Sequence, residues 1–139
     1  MNYTSILRYL SGYIAIYHIA LGLVGIFAST QFVQRLIEIF YGPTLTVDGV
    51  LFYVVKFICA YFVAFGGMMW LVAMDPVKYK NFIAVAVAFF AIRLGELLYF
   101  YSFIGETFSI TDNRILWKIA IVFVLGGALL FLEKKIKAV

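Results

Sequence analysis

Charge is what this sequence has least of. Asp, Glu, Lys and Arg make up 13% of its 139 residues, about half the roughly one-quarter share of soluble domains. With 65% hydrophobic residues and a mean hydropathy of +1.05, a water-soluble fold would expose large apolar patches and aggregate. Cysteine occurs once, at Cys59, which excludes a disulfide framework or a multi-cysteine metal site within the chain. Histidine also occurs once, at His18, so bis-histidine haem ligation is excluded. There is no P-loop, no His-Glu-x-x-His pattern, no dinucleotide-binding glycine fingerprint and no catalytic carboxylate pair within a hydrophobic run. No catalytic residue, metal or cofactor is expected. The net charge of +4 does not point to nucleic acid, because the basic residues are dispersed around the apolar runs.

What is present is lipid-compatible. Four apolar segments, at about 6–28, 50–74, 81–103 and 115–132, each approach or exceed the roughly 20 residues needed to cross a bilayer as a helix. The first is longer than the apolar core of a signal peptide and contains Tyr13, Tyr17 and His18, so it is read as a retained helix. Between the first two spans, Phe32, Val33, Leu36, Ile37 and Phe40 recur at three- and four-residue spacing, with Gln31, Gln34, Arg35 and Glu38 opposite. That pattern predicts a short amphipathic helix over 30–41, with Thr30 as its N-cap, lying in the bilayer interface. Gly42-Pro43 ends it, and Asp75-Pro76 ends the second span. Asp48 is placed to cap the second span, and 104–113 reads as a linker. The fold class expected is an all-α integral membrane four-helix bundle with one interfacial amphipathic helix, a single membrane domain over 1–139.

Arg8, Lys78, Lys80, Lys134, Lys135 and Lys137 flank one side of these spans, and Arg35, Arg114 and Lys118 the other. This asymmetry predicts both termini in the cytoplasm, in a membrane such as the bacterial inner membrane. Phe65-Gly66-Gly67 and Leu125-Gly126-Gly127 form a faint repeat that would suit a two-plus-two duplication, although paired glycines also serve close helix approach.

The residues costly to bury in lipid are His18, Lys56, Arg93 and Glu96. Helix rise places all four in the outer half of the membrane, with Lys56 and Glu96 at matching depth, about 10 Å below the helix ends. Arg93 and Glu96 share a helix face. A Lys56–Glu96 cross-helix pair is expected, leaving one positive charge for an anionic group to neutralise. Tyr17, Tyr53 and Tyr99 would add hydroxyls if they face inward. The plainer reading makes Arg93 and Glu96 a structural staple and Lys56 a snorkelling side chain.

An outer amphipathic segment, Asp48 before the second span, Lys56 within it, the Leu71-Val72-Ala73-Met74-Asp75-Pro76 turn and Arg93 in the third span together resemble the small DoxX-like and BphX-like bacterial membrane proteins. That resemblance implies a four-helix plan and makes a quinone-linked accessory role thinkable. The first expectation for function is a non-catalytic accessory or scaffold subunit packing against other membrane proteins or itself. It is motivated by Ala60 and Ala64, Ala84 and Ala88, and Ala91 and Gly95 at helix-contact spacing. The alternatives are a small-molecule or lipid-binding protein using the polar cluster as a pocket for an anionic lipid or quinone-like ligand, and a quinone-linked redox component.

Overall fold

A computed structural model describes residues 2–41, 46–108 and 110–137. Among them are six helices: α1 (Tyr3–Phe27), α2 (Thr30–Tyr41), α3 (Gly49–Met74), α4 (Lys80–Tyr99), α5 (Tyr101–Phe108) and α6 (Asp112–Lys137). Helices α1, α3, α4 and α6 are long and apolar enough to cross a membrane. The chain is an integral membrane protein of all-α class.

The helix boundaries have local causes. Asn2 caps α1 by accepting the Thr4 N–H at 3.1 Å. Asp48 caps α3 by accepting the Leu51 N–H at 2.7 Å, as its position before an apolar run predicts. Beyond α3, the Asp75 carboxylate accepts the N–H groups of Val77 and Lys78 and closes the tight turn into α4. The cap of α2 is Ser29 and not Thr30: the Ser29 hydroxyl accepts the Phe32 N–H at 3.3 Å, the bond made by the residue just before a helix. The anticipated stop at Gly42-Pro43 lies outside the described residues.

Two boundaries differ from the sequence reading. The third span ends at Tyr99, and the chain turns through Phe100 straight into α5, which covers part of the supposed 104–113 linker. Gly105 of α5 comes close to Ile115, so α5 folds against the start of α6. Helix α6 also runs past its apolar stretch at both ends, because charged residues there continue the helix without contributing to hydropathy.

Helices α1 and α3 form one antiparallel hairpin and α4 and α6 a second, with fewer contacts between the hairpins than within them. We call the end holding residue 3 and residue 137 the terminal end, and the other the α2 end. The main core joins Leu7, Ile14, Met69, Ile83, Phe90 and Leu129, among others. All of these lie at the middle of their helices or toward the terminal end. At the α2 end a smaller cluster, Val33, Ile37 and Val47, seats α2 against the start of α3. Gln34 strengthens that seat by accepting the Val47 N–H at 2.7 Å. The four spans are thus bound together on one side of their midpoint and less closely on the other.

Contact within the first hairpin is backbone to backbone. A Cβ at Gly22 would stand 2.7 Å from the Cys59 carbonyl oxygen, and one at Gly66 would stand 2.9 Å from the Ala15 carbonyl oxygen. In the second hairpin a Cβ at Gly126 would meet Phe90 at 3.0 Å. The two Gly-Gly pairs therefore occupy equivalent places: the first glycine of each faces the partner helix of its own hairpin, and Gly67 and Gly127 face open space. Gly66→Ala is expected to destabilise the protein by about 1–3 kcal/mol through overpacking. Gly67→Ala should be neutral or stabilising by up to about 1 kcal/mol through helix propensity. Thermal unfolding of the two variants in detergent checks the contrast.

Candidate functional site

A helix ending in hydrocarbon leaves carbonyl groups that need donors. Neither α1 nor α3 has a basic residue in its own last turn. Each receives one from the other. The Lys56 ammonium of α3 donates to the carbonyls of Ile26 (2.6 Å), Ala28 (2.9 Å) and Gly25 (3.4 Å) at the end of α1. Arg8 of α1 donates to the Met74 carbonyl at the end of α3, at 3.3 Å. An ammonium has three N–H donors, so Lys56 is matched by three acceptors on the negative end of a helix dipole. The Phe52 ring lies 4.5 Å away and covers it.

This changes the site expected from depth alone. Lys56 does not pair with Glu96; its partners are main-chain oxygens on α1. Glu96 is bonded instead to Arg93 on its own helix. By helix position His18, Lys56, Arg93 and Glu96 all lie in the half of the bundle nearer α2, yet matching depth does not bring all of them together. Tyr53 and Tyr99 are 70% and 83% exposed and face away from the bundle, which removes them from any interior site.

Three of the expected residues, Tyr17, His18 and Arg93, do line one cavity. It is a crevice of about 610 Å³ between the hairpins, within the range of about 300–1,000 Å³ of small-molecule sites. Its wall is mostly apolar. Phe62 and Phe90 close the back, and residues of α1 and α6 form the sides. The exposed lining residues are concentrated on those sides, with Tyr13 and Tyr17 on α1 and Trp117, Ile121 and Val124 on α6. The mouth therefore opens sideways between α1 and α6.

Within the crevice the polar groups are few and placed by their helices. His18 Nδ1 lies 2.7 Å from the Ile14 carbonyl oxygen. A carbonyl only accepts, so Nδ1 carries the proton, and a neutral ring keeps Nε2 as an acceptor turned away from α1. Rings of Tyr17, Phe62 and Phe65 meet the imidazole edge to face and hold its plane. Arg93 enters from α4, where Glu96 on the same face holds its guanidinium by an ion pair. Among the described residues no three His, Cys, Asp or Glu side chains gather to hold a metal.

One lining residue lies outside the expected polar cluster. Trp117, exposed at the mouth, lines the crevice from α6. Lys118, counted above among the charges flanking the spans, lies inside α6 and is not among the residues that line the crevice. Its place six residues into α6 resembles that of Lys56 in α3, and that depth was the available signal. No protein-family model, curated protein or solved structure matches the chain.

The Lys56 cap gives a direct prediction. Lys56→Met should lower stability by about 1–3 kcal/mol, the scale of hydrogen bonds to a charged group together with a dipole contribution. Because the Lys56 side chain does not line the crevice, any ligand binding there should persist in the folded fraction. Thermal unfolding followed by circular dichroism, with binding measured below the transition, checks both parts.

Proposed function

We propose that this membrane protein binds a small apolar or amphiphilic molecule in the crevice between its two hairpins. The observation that carries the reading is the crevice itself: about 610 Å³, apolar over most of its wall, with His18 and Arg93 converging on it. A mostly apolar cavity with a few placed polar groups is the usual form of a ligand site. A mouth facing lipid suits a molecule dissolved in the bilayer. On the Lys and Arg asymmetry the termini lie in the cytoplasm, and the α2 end then faces outward, in a membrane of the bacterial inner type.

A neutral long-chain alcohol bearing a photoactivatable diazirine provides the test. In vesicles its crosslinks should concentrate on Ile14, Ile121 and Leu125, and Ala120→Trp, which places a large ring in the mouth, should remove most of them. Crosslinks spread evenly over lipid-facing positions such as Val54 and Ile92 would refute the reading.

A second reading, an accessory subunit or self-associating protein, draws on a different observation. Ala84, Ala88, Ala91 and Gly95 all lie exposed along α4, and Ala60 and Ala64 lie exposed along α3. These small residues at helix-contact spacing are not used within the chain, and such faces allow close approach by another membrane helix. Native mass spectrometry after extraction in mild detergent should then show a dimer or a co-purifying membrane protein. A lone monomer would count against this reading and leave the first untouched.

A further inference from the structure

The crevice has a direction. Arg93 stands six residues from the end of α4 at Tyr99, about 9 Å from the α2 end. Trp117 stands five residues from the start of α6, at nearly the same level. Ile14 and Leu125 each lie thirteen residues from the α2 ends of their helices, about 20 Å in. One end of the crevice is therefore polar and near the membrane surface. The other is apolar and near the middle of the spans, about 11 Å further in.

Its polar end also has a sign. Glu96 is the one acceptor bonded to Arg93 among the described residues, whereas a guanidinium carries five N–H donors. Arg93 is the one charged residue among those that line the crevice, and Glu96 is not among them. Donors of Arg93 beyond the one that Glu96 takes are left for a ligand, and donors in hydrocarbon without acceptors are costly.

We infer that the crevice takes a single-chain amphiphile with an acidic head, the head against Arg93 and the chain laid between α1 and α6 toward the middle of the bilayer. This rests on the crevice being a ligand site and adds the chemistry of the ligand. Charge complementarity selects the acid, the sideways mouth admits the molecule from lipid, and the apolar inner end receives the chain. The guanidinium suits a carboxylate or a phosphate monoester because its planar fork pairs with either.

The test uses the full chain with Trp70→Phe, leaving Trp117 as the sole tryptophan, in nanodiscs of zwitterionic phosphatidylcholine at alkaline pH. Dibrominated stearic acid quenches tryptophan on contact, and the matching dibrominated alcohol has the same chain without the acid. The acid should quench Trp117 saturably, at least ten-fold more tightly than the alcohol. Arg93→Gln should bring the acid down to the alcohol's affinity, and Arg93→Lys, which keeps the charge, should retain part of the difference. If Arg93→Gln fails to fold, the acid-to-alcohol ratio and the Arg93→Lys variant decide the matter. Equal, saturable quenching by both probes would overturn the acidic head and leave the crevice reading standing. No saturable quenching by either would overturn both. Competition by phosphatidylglycerol with no binding of the free acid would overturn the single-chain assignment.

Discussion

The exchange of basic residues between α1 and α3 is the constraint on which the rest of the structure depends. The last carbonyl groups of a helix need donors from outside it, and neither helix has a basic residue in its own last turn. Lys56 reaches across to the end of α1 and Arg8 to the end of α3. Two such contacts at opposite ends fix the register of the pair, and Gly22, Gly25 and Gly66 let the backbones close to the distance at which both can form. With α3 held along one side of α1, Tyr13, Tyr17 and His18 are left to face the second hairpin. The cap and the crevice are thus two faces of one arrangement.

The second hairpin is built on the same plan, with a long helix, a short one and another long one, and Gly126 at its contact as Gly66 is in the first. Its charges are placed differently. Arg93 is held by an acid one turn away on the same helix, and Lys118 lies on α6. The two hairpins meet through a core drawn toward the terminal end. Beyond that core their surfaces diverge and the crevice begins. Its position follows from where the large buried side chains run out.

The four spans, the amphipathic α2, the Asp48 cap and the stop at Asp75-Pro76 were legible because each rests on a local pattern: hydropathy, three-four periodicity or capping chemistry. The break at Phe100 was not, since Phe100 to Phe103 continue the apolar run of α4 and α5 is placed by its contact with α6. Helix rise put His18, Lys56, Arg93 and Glu96 at comparable depths, but depth is one coordinate and partnership needs two. Which way each side chain turns about its helix depends on neighbouring helices. That is why Lys56 has main-chain partners in place of Glu96, and why Tyr53 and Tyr99 face outward. Lys118 reads as a flanking charge because the apolar window begins at 115, inside the helix that carries it.

The caps of the first hairpin also bear on how the protein is made. Everything they require lies between Asn2 and Met74. Synthesis proceeds from the N-terminus, so α1 and α3 can satisfy both of their helix ends before α4 leaves the ribosome. The later hairpin then meets a finished electrostatic unit with an apolar flank. The crevice is the part of that seam which docking leaves unfilled.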